Sequence, residues 1–283
     1  MKVAIVTDAS ADLPEALAAA HGVGIAPLRY ILGGKVYSTG EQDTSILLTS
    51  LDRGDGCEVS GVEADDFETA YRQALDGAEH LICICHSVGS SFTRVSAEVA
   101  ARQLLDDDIQ VDVTSPGRST AALAAIALAA GDAARAGQSA DAVAALINDA
   151  STRADTYLLA PSLDQLDRAG QLSIVQSQSG VGRLDEGVPL FRLRGRLNAV
   201  AIADDSAAAE GLLIERIFET AGDRPVHLIA THVDAPAEAE RLLAAAKERV
   251  NTALSLVTEA GPTISGLLGR GAYGLGFCAL EPA

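Results

Sequence analysis

Three short constellations in the sequence could do chemistry. Cys85-His86-Ser87-Val88-Gly89 approximates G-x-S-x-G, the turn that raises a nucleophilic serine at the end of a strand. Asp204 or Asp205 and then His227 or His232 follow it, so a Ser…Asp…His order led by Ser87 is available to a serine hydrolase. Cys85, however, stands where that strained turn uses glycine. The plainer reading is a strand-to-helix loop whose hydroxyls cap the next helix. Cys83, Cys85 and His86 carry metal-ligand chemistry, but Cys57 and Cys278 stand alone and no second pair with ligand spacing completes a zinc site. Free Cys on a buried strand behaves as a small hydrophobe. The third constellation, Gly269-Arg270-Gly271-Ala272-Tyr273-Gly274, is a literal G-x-G-x-x-G. A dinucleotide site needs a crossover helix and an acid about 20 residues further on. Too little chain follows Gly274 for either, so the glycines mark a tight turn or a close backbone approach, and no cofactor is expected.

The elements that must position these residues alternate. Lys2–Thr7, His80–Cys85, Ile109–Val113 and Thr156–Ala160 read as strands, with helices at Asp65–Ala74, Phe92–Leu105, Ala121–Ala136 and Ala140–Ser151. Pro14 suits the first turn of a helix running to about Ala20, and Gly33-Gly34 within Arg29–Ser38 signals a hairpin. After Pro161 the texture changes. A polar stretch, Gln171–Gly182, precedes two strands around Arg194-Gly195, a helix at Ser206–Ala221, a strand at Val226–Thr231, a helix at Ala237–Arg249 and strands near Ser255 and at Ala272–Leu280. The expected fold is α/β: an N-terminal domain (1–160) with a mainly parallel sheet and helices on both faces, then a C-terminal α+β domain (161–283).

Composition narrows the partners. The chain has 283 residues, 48% hydrophobic, with 21 Lys and Arg against 39 Asp and Glu, a formal net charge of −18. That charge repels phosphate backbones and anionic lipid surfaces, which argues against nucleic acid. The most apolar run, Ala121–Ala130, is too short to cross a bilayer, so no stable membrane insertion is expected. The opening residues lack the long apolar region of a signal peptide, and four Cys make no disulfide framework. A cytoplasmic location is the expectation.

Several segments together resemble one bacterial family. Val3-Ala4-Ile5-Val6-Thr7-Asp8-Ala9-Ser10-Ala11-Asp12-Leu13-Pro14 closely resembles the opening signature of the DegV family. The hairpin at Gly33–Tyr37, the strand-loop-helix at Ile84–Ala97, Val113-Thr114-Ser115, Leu166–Ser173 and Gly261-Pro262 through Gly274 resemble its later landmarks in order. The resemblance implies a non-catalytic, two-domain carrier with a long-chain fatty acid buried between the domains. It also implies a fatty acid kinase subunit as partner, to which the carboxylate is presented. The sequence holds no phosphate-binding loop of its own.

The same resemblance assigns the polar end of the ligand. One family loop, usually T-S-Q-P-S, is here Val59-Ser60-Gly61-Val62-Glu63, and the S-G-T loop that holds the carboxylate is Gly89-Ser90-Ser91. The late G-T-H-T-G-P-G is Ser265–Gly271, with Leu267 in the place of the His and Gly269 retained, and Gln171 replaces a usual Arg. Ser60, Gly89, Ser90, Ser91, Leu267 and Gly269 are therefore the expected ligand-binding residues, with three hydroxyls left to donate. A carboxylate without donors in an apolar pocket is heavily penalised. The altered positions leave two alternatives open, a different head group or a member that has lost its ligand.

Overall fold

The computed structural model describes residues 2–41, 43–86 and 92–281. In chain order the first half runs β1 (Val3–Asp8), α1 (Glu15–Ala20), β2 (Val23–Ala26), β3 (Arg29–Leu32), β4 (Lys35–Ser38), α2 (Thr44–Asp52), β5 (Cys57–Gly61), α3 (Ala64–Ala74), β6 (His80–Ile84), α4 (Thr93–Leu104) and β7 (Gln110–Thr114). It continues through α5 (Thr120–Arg135), α6 (Ala140–Thr152), β8 (Ala154–Leu159), α7 (Asp164–Arg168), α8 (Leu172–Ser179), β9 (Val188–Arg194), β10 (Arg196–Ala203) and α9 (Ser206–Ala221). The chain then closes with β11 (Val226–His232), α10 (Pro236–Lys247), β12 (Thr252–Glu259), α11 (Pro262–Leu268) and β13 (Tyr273–Ala279).

The first sheet is wholly parallel, in the order β2-β1-β6-β7. Its two central strands are buried on both faces, which is why they read as unbroken apolar runs. Alternation along β1 sends Ala4 and Val6 into the core with α3 and α4, while Val3 and Ile5 meet α5 and α6. Helices on both faces are thus required. A small antiparallel sheet, β4-β3-β5, hangs beside this unit.

The second large sheet is mixed, in the order β10-β9-β8-β13-β11-β12, with β11 and β12 its one parallel pair. Helices α9 and α10 cover one face. The other face shares α5 with the parallel sheet, because Ile229 and Cys278 enter the same core as Ile5, Ile82 and the alanines of α5. This explains the Ala-rich composition of that helix. A helix pressed between two sheets has no room for long side chains, and a Cβ on Gly276 of β13 would lie 2.3 Å from the Cβ of Ala121. The α/β architecture with a parallel sheet and an accompanying α+β sheet follows the sequence expectation.

Details differ. Residues 154–159, placed in the first domain by a boundary at 160, form β8 and pair with β9 and β13 in the second sheet. Within the polar stretch Gln171–Gly182 lies a helix, α8, whose Val175 reaches the core while its serines and glutamines stay outside. Elements α2, β5, α7 and α11 were not expected either; each is short, and each is held by packing against the same core. No helix among the described residues is long and apolar enough to cross a membrane.

Candidate functional site

The parallel sheet changes winding direction between β1 and β6, since β1 leads outward to β2 on one side and β6 to β7 on the other. Such a switch point leaves a crevice at the carboxyl ends of the strands, where ligands of open α/β sheets bind. Asp8 ends β1 there and is fully buried. It accepts hydrogen bonds from the Ser10 N–H at 2.9 Å and from the His86 N–H at 2.5 Å, tying the end of β1 to the end of β6. Burial holds the His86 imidazole below its usual range, with the Asp8 charge opposing, and its Nδ1 has no partner among the described residues. Ser87, Gly89, Ser90 and Ser91 follow at once in sequence but lie outside the described residues.

Ser60 is on β5, exposed, in a groove of about 330 Å³ that also takes in Gly61, Val62, Phe92, Val95 and Val99. The Val62 N–H donates to Thr93 Oγ1 at 3.4 Å, so the strand carrying Ser60 is fastened to the first residue of α4. Phe92, which immediately follows the undescribed loop, is 73% exposed. Leu267 approaches from far along the chain. Its helix, α11, packs on β5 at Gly266, where an added Cβ would lie 3.3 Å from the Cβ of Cys57. Leu267 is half-buried against the core of α2, α7 and α8. Gly269 adopts φ +71° where α11 ends, and a Cβ there would press Gln165 at 2.9 Å. Neither Leu267 nor Gly269 lines the Ser60 groove. Val59 is exposed, and the Gln171 N–H donates to Leu166 O in the turn between α7 and α8.

A larger cleft, of about 490 Å³, opens beyond Asp8. Its walls come from the turn after β1 (Ala9, Asp12, Leu13), from Tyr30 and Leu47, and from the segment Glu259–Pro262 that follows β12. Asp12 is left-handed at φ 54° and reaches Gly261, whose N–H it accepts. Burial, the larger influence, outweighs that hydrogen bond and raises the Asp12 carboxyl to about 8, so it is largely neutral at pH 7. Its Oδ2 is buried without a partner among the described residues. The other acids of this cleft are Glu15 and Glu259, and among the described residues no cation lines it. Asp8 and Asp12 were not among the expected ligand residues. Their signal in the sequence is an acid that closes an unbroken apolar strand, with a second acid one turn on.

The residues available to a Ser-Asp-His arrangement serve other ends. Asp205 caps α9 through the Ala208 N–H at 2.8 Å, and His232 Nδ1 accepts from the Ala235 N–H at 3.3 Å. His227 is buried against α5, with Ala125 O at 3.4 Å, and burial depresses its pKa. Neither histidine is hydrogen-bonded to Asp204 or Asp205 among the described residues. Cys83 and Cys85 are fully buried core residues beside Tyr71. In the glycine-rich segment, Gly271 has φ +86°, and a Cβ on Gly274 would lie 2.0 Å from Tyr157 O, which is the close backbone approach expected there.

Known proteins resemble the chain from end to end. A family described as "Uncharacterised protein, DegV family" matches residues 2–280. A DegV domain-containing protein of Streptomyces coelicolor is 30% identical over 277 residues, covering 96% of this chain and 97% of the relative. A solved structure described as fatty acid binding of a DegV family protein from Thermus thermophilus superposes with a TM-score of 0.84 at 26% identity, covering 99% of this chain and all of that one. A stearic acid-binding protein from Eubacterium ventriosum shares the fold with a TM-score of 0.83 at 16% identity, covering 97% of each chain. With its opening signature on β1 and the turn that follows, and its parallel and mixed sheets joined through α5, the chain belongs to the DegV family.

Proposed function

We propose that this protein binds a long-chain fatty acid between its two halves and acts as a carrier rather than as a catalyst. The full-length likeness to the fatty-acid-binding protein of Thermus thermophilus is the observation that carries the reading. The cleft supports it. Its size lies within the range of about 300–1,000 Å³ usual for small-ligand sites, and Leu13, Ile25, Tyr30, Leu47 and Pro262 give it apolar walls.

The carboxylate end belongs elsewhere. With Glu15 and Glu259 beside it and no cation, the cleft repels an anion but accepts a hydrocarbon chain next to a neutral Asp12. On this reading the polar end is held by Ser60 of β5 together with Gly89, Ser90 and Ser91, which follow β6 in the sequence. Leu267 and Gly269 line neither the Ser60 groove nor the larger cleft, so the reading gives them no more than a supporting place at α11. A kinase subunit is the partner this reading implies, receiving the carboxylate at the same opening. Neither a cofactor nor a metal takes part.

Mass spectrometry of an organic extract of the purified protein tests the reading directly. A co-purified acyl lipid and saturable binding of a fluorescent fatty acid are expected. Absence of both extractable lipid and fatty acid binding would remove the carrier role. Fluorophosphonate labelling abolished by Ser87→Ala would instead establish the hydrolase.

A further inference from the structure

The strongly acidic chain gathers several of its arginines in one place. On the face of the mixed sheet covered by α9, Arg192 of β9 stands opposite Tyr157 on one side and Asn198 on the other, and Arg194 stands opposite Arg196 across the hairpin. Arg216 comes from α9, and Arg118 approaches from the segment before α5. Arg118, Arg192, Arg194 and Arg216 all act on Tyr157 or on one another, and Asp155 is the carboxylate among them. Four guanidiniums thus face one acid, in a protein whose net charge is −18.

Their hydrogen bonds divide them into two pairs. Arg194 grips Asp155 with both arms, at 2.9 and 3.1 Å. Arg118 is buried and spends its donors on the carbonyls of Ala154, Ser151, Pro116 and Gly117. These two supply positive field but have few donors free. Arg192 has no hydrogen bond or ion pair among the described residues, and Arg216 has only a 3.5 Å contact to Val200 O. The Nε atoms of both are buried and without a partner among the described residues. Burial first, and the field of Arg194 next, hold Arg118 below its usual range, with Asp155 opposing.

We propose that this end of the mixed sheet is a binding site for a phosphate monoester, with Arg192 and Arg216 as its two binding forks. Guanidinium planes match phosphate oxygens in pairs of parallel hydrogen bonds. A dianion compensates the excess charge where a single carboxylate would leave most of it. The two free forks sit half-buried between a strand and a helix, which suits a small group better than an acidic protein surface. The site does not depend on the lipid reading.

Thermal unfolding of the full chain in inorganic phosphate, against chloride of equal ionic strength, reads the proposal. Ligand that binds only the folded state raises the midpoint. A saturable rise is expected for the parent, a smaller one for Arg192→Lys, and none for the double variant Arg192→Gln, Arg216→Gln. A parallel arm sediments the protein with phosphatidylcholine vesicles with and without phosphatidic acid. Binding in that arm alone, lost in the double variant, assigns the same chemistry to a lipid head group. Identical behaviour of parent and double variant, or no response in either arm, overturns the site, as does binding of polyglutamate without any response to phosphate. Should the double variant fail to fold, the Nε–H resonances of the parent decide. Joint saturable movement of Arg192 and Arg216 supports the site, and shifts confined to the exposed Arg183 refute it.

Discussion

Asp12 ties two distant parts of the chain by a single carboxyl, and its protonation makes that tie sensitive to pH. An unfolded Asp releases its proton near 3.8, whereas the folded protein holds it to about 8. Between those values the folded state binds the extra proton, so this residue's contribution to stability is full at acid pH and is lost as pH rises toward 8. The melting temperature of the parent should fall across that window more steeply than that of Asp12→Asn, which keeps the shape and cannot ionise. Equal slopes in unfolding scans at pH 5 and pH 8 would show that Asp12 is not the titrating group. Ser60 carries a second expectation at this scale. A hydrogen bond to a charged group contributes about 1.5–3 kcal/mol, so Ser60→Ala should weaken fatty acid binding tenfold or more. Unchanged affinity in a fluorescence titration would move the head group away from β5. At this scale the sequence was informative only in part. It pointed to Ser60 through a motif, but that the segment after Ser60 is fastened to the start of α4, or that Asp12 meets Gly261, depends on chain segments that come together only in the fold.

Elements were more legible than contacts, and the reason is periodicity. Ser206–Ala221 emerged with both ends correct because an apolar stripe lies between a capping Asp205 and a terminal Gly222. Helix α8 stayed hidden because its exposed face is serine and glutamine and only Val175 is buried. Packing, not propensity, holds it. Helix α5 shows the reverse case. Its apolar run showed a buried helix in the sequence, but that two sheets press on it from either side is visible only in the fold. Gly276 is the narrowest point of that packing, so Gly276→Ala forces backbone apart rather than moving a flexible side chain. Overpacking of this kind costs about 1–3 kcal/mol. Chemical denaturation should show that loss with little change in the far-ultraviolet spectrum. A variant as stable as the parent would mean that α5 does not bind the two sheets as tightly as described.

The whole molecule joins two sheets through one helix and leaves a cleft beside the turn after β1; under the proposed function, that cleft encloses a chain without a preformed barrel. Where the boundary between the halves falls is a proposal; the pairing of β8 with β9 and β13 favours a division before Ala154. Affinity should then follow hydrocarbon length. Burying a sixteen-carbon chain returns roughly 12 kcal/mol at about 0.8 kcal/mol per methylene, against an association cost of about 4–15 kcal/mol. Short acids should therefore bind weakly, and each added pair of methylenes, worth about 1.6 kcal/mol, should tighten binding somewhat more than tenfold. The gain must stop where the cleft is full, because further carbons remain in water. Displacement of a fluorescent probe from delipidated protein by saturated acids of eight to twenty carbons measures the slope and the break. A flat series would mean that the tail is not buried, and a slope without a break would place it on an open surface rather than in the cleft beside Asp12.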